Sequence, residues 1–177
     1  MTRLVVITGS LRAASSSAAL ARALVARLPA GTLAETADIG ALPHYCADHD
    51  GGEPVARLLS QIAASDGVLF VTPEYNYSIP GVLKNAIDWA SRPAYRSVFA
   101  GKSCFVVSVS GGAMGGVRAQ AHLKYILNGM LARPFPCQEV VVPEAPKKLV
   151  DGIFADTATL DFAGASIAAW LQDIRGR

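Results

Sequence analysis

Nine residues near the start of the chain, Gly9-Ser10-Leu11-Arg12-Ala13-Ala14-Ser15-Ser16-Ser17, concentrate four hydroxyls and one guanidinium in a short segment. They follow a β-branched run and precede an Ala-rich one, so they join a strand to a helix. The start of a helix presents free backbone N–H groups and the positive end of the helix dipole. Serine hydroxyls donate to phosphate oxygens, and Arg12 adds a planar fork of donors with a fixed charge. The residues before Glu35 include Arg3, Arg12, Arg22 and Arg27 and no acid, so the local field is positive. The segment suits an anion, and a terminal monophosphate best. It lacks the Gly-Lys-Ser/Thr ending of a Walker A loop, and its single glycine does not make GxGxxG. Serines at a helix start also serve as caps, and Ser15 fits either role.

Two further segments have chemistry-bearing composition. Thr72-Pro73-Glu74-Tyr75-Asn76-Tyr77-Ser78-Ile79-Pro80 fixes its backbone with two prolines and offers two aromatic faces with polar tips. Exposed amides around Tyr75 and Asn76 suit the edge of a planar heterocycle; taken alone, the same residues read more readily as an ordinary turn with aromatic packing. Ser110-Gly111-Gly112-Ala113-Met114-Gly115-Gly116 holds four glycines in seven positions, which permits close approach of a ligand or another chain, or simple flexibility.

These segments are positioned by alternating strands and helices. Leu4–Thr8, Gly67–Thr72 and Ser103–Ser110 read as strands buried on both faces, Leu33–Ile39 as a weaker strand and Glu139–Val142 as a short one. Ser17–Leu28, Pro54–Ser65, Pro80–Ser91, Gly115–Leu131 and Asp156–Asp173 carry helical spacing; the last has Leu160, Ala163, Ile167 and Leu171 as its inward stripe. Pro43–Gly52 reads as a loop. Five strands alternating with five helices predict an α/β three-layer sandwich with a five-stranded parallel sheet in the order 2-1-3-4-5. Residues 1–177 read as one domain. In such sheets ligands bind beyond the carboxyl ends of the strands where the order reverses, between strands 1 and 3. The three unusual segments follow strands 1, 3 and 4.

Composition narrows the class. Hydrophobic residues make up 51% of the 177 and charged ones 17%, which excludes a disordered or fibrous chain. A net charge of +2 gives no argument for nucleic acid or an acidic membrane surface. No apolar run approaches the about 18 residues of a membrane helix, and Leu4–Ile7 is too short for a signal-peptide core. Cysteines 46, 104 and 137 form neither a disulfide framework nor a CxxC pair. A cytoplasmic protein is expected.

His44, Cys46, Asp48, His49 and Asp50 match no zinc spacing and read as a surface loop, with no metal expected. His122 reads as a surface or interface residue. Trp89 and Trp170 read as helix-packing residues. Lys84 and Asp88 stand at ion-pair spacing. No GxSxG elbow suggests a hydrolase.

The sequence resembles the NAD(P)H-dependent FMN reductases, flavodoxin-like proteins that include quinone, chromate and azo-dye reductases. The matching motifs are GSLRAASSS, VTPEYNYSIPGVLKNAIDWASRP and SVSGGAMGGVRAQ, in order along nearly the whole chain. The resemblance implies that Ser10, Arg12, Ser15 and Ser17, with Ser16 between them, hold the FMN phosphate. It implies that Pro73, Glu74, Tyr75 and Asn76 border the isoalloxazine ring and that Ser110 and Gly111 lie on its other side. The family pattern GSLRxxSxN has Asn where this chain has Ser17, a shorter donor. The implied activity is hydride transfer from NAD(P)H to FMN and onward to a small-molecule acceptor such as a quinone, free flavin, azo compound or chromate. No side-chain acid or base is required for hydride transfer, so no catalytic residue is expected. A homodimer or homotetramer is implied. The rival reading is a flavodoxin-type electron carrier without direct NAD(P)H oxidation. A response-regulator receiver is disfavoured, because Thr8-Gly9-Ser10 and Thr72-Pro73 stand where it needs acids.

Overall fold

The structure, a computed structural model, describes Met1–Arg177. Strands β1 (Thr2–Thr8), β2 (Thr32–Thr36), β3 (Gly67–Pro73) and β4 (Ser103–Val109) alternate with helices α1 (Ser16–Val25), α2 (Gly52–Ala64) and α3 (Gly81–Ala90). Helix α4 (Val117–Gly129) follows, then β5 (Arg133–Pro134), β6 (Val140–Val142), a 3₁₀ turn (Ala145–Lys148), β7 (Leu149–Val150), β8 (Ile153–Phe154) and α5 (Thr157–Arg175). The main sheet is parallel, in the order β2-β1-β3-β4-β5, with β6 also on β4. This is the expected doubly wound 2-1-3-4-5 sheet.

The two faces follow from the period of two along each strand. Leu4, Val6, Leu69, Val71, Phe105 and Val107 point to one side, where they pack with α1 and α5. Val5, Ile7, Val68, Phe70, Cys104 and Val106 point to the other, against α2, α3 and α4. The central strands are therefore buried on both faces, which explains their Val/Ile/Leu/Phe runs. The stripe expected on α5, Leu160, Ala163, Ile167 and Leu171, is buried throughout.

Three details depart from the sequence reading. The fifth strand is broken in two, since Arg133–Pro134 and Val140–Val142 pair separately with β4. Proline supplies no ladder donor, and Pro134 and Pro136 interrupt the run. Helix α4 starts at Val117, two residues later than expected. Gly115 and Gly116 have φ of 60° and 82°, outside the helical region. An unexpected antiparallel pair, β7–β8, follows the 3₁₀ turn.

The carboxyl ends of β1, β3 and β4 lie side by side, with Thr8 opposite Val71 and Pro73 opposite Val109. Gly9 continues β1 into this edge. A Cβ there would press into Thr72 Oγ1 and stand 3.0 Å from Thr72 Cβ, so only glycine lets the first loop leave so close to β3.

Candidate functional site

The first loop folds into a cap for α1. Ser15 is the N-cap residue: its backbone is extended and its Oγ accepts from the Ala18 amide at 3.3 Å. The Ser15 and Ser17 hydroxyls are 2.8 Å apart, and both residues are buried. Thus Ser15 caps the helix and still borders the cleft. The amides of Ser16 and Ser17 open the helix without an acceptor in the chain, as first-turn amides do. Arg12 is exposed and takes part in none of the ion pairs of the protein. Ser10 reaches across to the second loop, with its Oγ 3.4 Å from the Tyr75 hydroxyl.

The second loop is a two-residue reverse turn. Tyr75 N–H donates to the Ser78 carbonyl at 2.9 Å and Ser78 N–H to the Tyr75 carbonyl at 3.1 Å. Asn76 and Tyr77 between them have φ of 49° and 66°, the left-handed pair of a type I′ turn. The Tyr75 amide, expected as a ligand donor, is thereby engaged. The Asn76 and Tyr77 amides have no acceptor in the chain.

Helix α4 holds this turn. The Glu74 carboxylate accepts from the Arg118 amide at 3.1 Å and the Ala119 amide at 3.3 Å, and from Arg118 Nη1 at 3.1 Å. The Arg118 guanidinium also lies 4.6 Å over the Tyr77 ring. His122, one turn on, has Nδ1 3.0 Å from Ser78 Oγ. Glu74 lines the cleft, yet its charge is directed at α4.

The third loop is tied to the segment after β6. Ser110 N–H donates to Val142 O at 3.0 Å, Ala145 N–H to Ser110 O at 2.9 Å and Glu144 N–H to Gly112 O at 3.1 Å. Gly112 N–H is taken by Ser110 Oγ at 3.0 Å, and the Gly111 amide beside it has no acceptor in the chain. Beneath the loop, buried Gln120 donates to Ser108 Oγ at 3.1 Å, and Ser108 donates to the Gly115 carbonyl at 2.9 Å.

Together the three loops enclose a cleft of about 170 Å³. Ser10, Arg12, Ser15, Ser16, Ser17, Pro73, Glu74, Tyr75, Ser110 and Gly111 line it, so the fold brings these ten expected residues together. Asn76, in the reverse turn, does not line it. Val109, Ala145 and Pro146 line it as well and were not foreseen. A wider, open pocket of about 410 Å³ adjoins it, sharing Ser10, Arg12 and Tyr75 and adding Leu11, Pro80 and Val82. A separate groove of about 360 Å³, between β2 and the end of α2, shares no residue with these loops. The residues His44 to Asp50 serve their own loop: His49 Nδ1 accepts from the Gly51 amide and Asp50 Oδ1 from the Gly52 amide. Trp89 and Asn85 fasten that loop by donating to the Pro43 carbonyl.

The strand order and the crevice beyond strands 1, 3 and 4 place the molecule among the flavodoxin-like α/β proteins. Within that class the chain belongs to the NADPH-dependent FMN reductase family, whose sequence model matches residues 2–147. A 2-hydroxy-1,4-benzoquinone reductase from a Burkholderia species is 49% identical over 124 residues, 69% of this chain and 68% of that protein. An NAD(P)H-dependent FMN reductase of Pseudomonas aeruginosa is 38% identical over 177 aligned residues, 96% of this chain and 95% of that one. The solved structure of FerB, a flavoenzyme NAD(P)H:(acceptor) oxidoreductase from Paracoccus denitrificans, matches with a TM-score of 0.89 and 35% identity over 99% of this chain and 98% of that chain. The oxidoreductase class and the FMN cofactor implied by the motifs are those of the family.

The residues of the cleft fit FMN by their donor chemistry. An unpaired guanidinium, serine hydroxyls and two open first-turn amides surround a space whose single carboxylate, Glu74, is neutralised by Arg118 and the α4 amides. No helix is long and apolar enough to cross a membrane.

Proposed function

We propose that this chain is an FMN-containing NAD(P)H:acceptor oxidoreductase that reduces quinones. The observation that carries the reading is the donor set of the cleft, in which Arg12 and the serine loop meet the open end of α1. Ser10, Arg12, Ser15, Ser16 and Ser17 would hold the FMN phosphate. Pro73, Glu74, Tyr75, Asn76, Ser110 and Gly111 would border the ring, Asn76 through its backbone amide and Glu74 by fixing the loop.

When bound, FMN supplies the redox chemistry, taking a hydride from NAD(P)H and passing electrons to the acceptor. The chain's own residues bind and orient. Arg12 neutralises phosphate charge, and the Ser16 and Ser17 amides aim the helix dipole at it. The amides of Asn76, Tyr77 and Gly111 are fixed donors for polar atoms at a ring edge. The open pocket edged by Leu11, Tyr75, Pro80 and Val82 is apolar enough for a flat nicotinamide or quinone. One such site serves donor and acceptor in turn, which gives ping-pong kinetics.

The quinone assignment is supported by the relative named for 2-hydroxy-1,4-benzoquinone. A homodimer or homotetramer is supported by the exposed Leu11, Tyr77 and Met114 around the loops. A cytoplasmic location is supported by three free cysteines, one of them fully buried.

Anaerobic visible spectroscopy tests the reading. The FMN-loaded protein is expected to lose its flavin absorbance on addition of NADPH or NADH and recover it on addition of a benzoquinone. Absorbance that persists under excess of both nucleotides would make the protein an electron carrier instead.

A further inference from the structure

We infer that Gln120 is a positioning residue of the flavin site: its side-chain amide sets the Ser108 hydroxyl that holds the third loop, and so fixes the direction of the open Gly111 amide. The inference rests on the proposed placing of Gly111 at the flavin ring. Gln120 lies in α4 and lines neither of the two pockets that the loops form. It is fully buried, as is Ser108 of β4. A methionine would fill the same space without taking an amide out of water, so the polar group calls for a reason.

Only one end of the amide is used. Nε2 donates to Ser108 Oγ at 3.1 Å and to the Val140 carbonyl at 3.1 Å. Oε1 is buried and has no hydrogen-bond partner. The opposite orientation is excluded, because it would set Oε1 against the Val140 carbonyl, which only accepts. The orphaned oxygen therefore follows from the two bonds that Nε2 makes. A side chain kept at that cost marks a place where function, not stability, sets the choice.

The two bonds meet under the third loop. A serine hydroxyl has one hydrogen and rotates to suit its surroundings. With Gln120 donating to its oxygen, the Ser108 hydrogen is left for the Gly115 carbonyl, 2.9 Å away. Gly115 and Gly116 end the loop pressed onto the strands. A Cβ on Gly116 would stand 3.0 Å from Ser108 Cβ, and one on Gly115 would stand 3.0 Å from the Val142 nitrogen. The near end of the loop is held through Ser110, by the Val142 carbonyl and the Ala145 amide. Val140, the second acceptor of Gln120, opens the strand that carries Val142. Gln120 thus braces both ends of a segment whose middle, Gly111 to Met114, is exposed. The Gly111 amide takes its direction from that bracing, since no acceptor in the chain holds it. The Arg118 and Ala119 amides of the same turn of α4 hold Glu74, so one helical turn aligns the second and third loops.

The test reads flavin affinity and the midpoint potential of the bound flavin, and neither needs turnover. A fixed amide at the ring edge favours the reduced ring, which carries more negative charge. Gln120→Met keeps the volume and removes both donors. It is expected to weaken FMN and riboflavin alike, by about three- to tenfold. It is expected to weaken the reduced flavin about tenfold more, a shift of about 30 mV to more negative potential for a two-electron couple. Its urea midpoint is expected to equal or exceed that of the wild type, because methionine also removes the unmatched oxygen. Ser108→Ala is a smaller change in the same network. It is expected to reproduce most of the potential shift, and Gln120→Met on top of it to add little. If Gln120→Met does not fold, Ser108→Ala decides alone. An unshifted potential in either folded variant would overturn the role, whatever its stability. So would additive shifts in the double variant, or a loss for FMN that spares riboflavin, which would put the third loop at the phosphate. Absence of flavin binding by the wild type would be a different failure, that of the flavin assignment itself.

Discussion

Glu74, the first residue after β3, closes the start of a helix that lies 44 residues away in sequence: its Oε2 is 3.1 Å from the Arg118 amide and its Oε1 3.1 Å from Arg118 Nη1. The N-cap position of α4 is Gly116, which has no side chain to do this. The loop beside the cleft and the first turn of α4 are therefore one unit. Arg118 extends it to Tyr77, and His122 to Ser78. The motif's glutamate orients its neighbours and leaves the cleft free of uncompensated negative charge.

Removing that carboxylate uncaps α4. Glu74→Ala is expected to lower stability by about 1–2 kcal/mol, the scale of a lost cap with charge-assisted hydrogen bonds. The half-exposed Arg118 pair adds little beyond this. Glu74→Gln keeps one acceptor oxygen and should recover about half the loss. Urea unfolding measures both, and an Ala variant with the wild-type midpoint would show that α4 needs no cap from the loop.

Gly9 and Thr72 set the spacing of the first two loops. A methyl group at residue 9 would stand 3.0 Å from Thr72 Cβ and 3.1 Å from Pro73 Cδ. Gly9→Ala is expected to cost about 1–3 kcal/mol by overpacking and to weaken FMN retention as the loops part. In a Thr72→Ala background, where the hydroxyl is gone, the same change should cost measurably less. Strictly additive costs in the double variant would contradict the contact.

The three thiols should differ in reactivity. Burial pushes the Cys104 thiol well above its ordinary range and raises Cys137 less completely, while Cys46 sits in a surface loop. At about pH 8, alkylation of the native protein should mark Cys46 first and leave Cys104 protected until unfolding, because the thiolate is the reactive form. Peptide mass mapping reads the order, and early labelling of Cys104 would contradict its burial between the sheet and its helices.

The fold was legible where the sequence was simplest. The apolar runs of β1, β3 and β4 suit the centre of a covered parallel sheet, and that order sets the crevice beyond their carboxyl ends. The anion chemistry of the serine loop followed from that geometry, while the particular residues of the second and third loops came from the resemblance of their motifs to the family. The fifth strand was harder, because Pro134 and Pro136 break the run and leave two short pieces on β4. The β7–β8 pair carried a readable cue, Asp151-Gly152 between two apolar pairs, and both residues adopt positive φ as a type I′ turn requires. Ala145 and Pro146 gave no cue at all. They have no chemistry of their own, and only the long-range bonds from Ser110 and Gly112 bring them to the cleft. The Glu74 cap was equally hidden, since nothing local to residue 74 announces the start of α4.

The central claim is that Arg12 and the serine loop receive the FMN phosphate, and the most direct test compares FMN with riboflavin, which lacks only that phosphate. Wild type and Arg12→Ala are titrated with both flavins by fluorescence. Arg12 is exposed and unpaired, so its loss should leave folding intact. The account predicts that Arg12→Ala binds FMN about 10- to 100-fold more weakly, the worth of a charge-assisted hydrogen bond, while riboflavin affinity moves less than about twofold. Equal losses for both flavins, or unchanged FMN affinity, would contradict it.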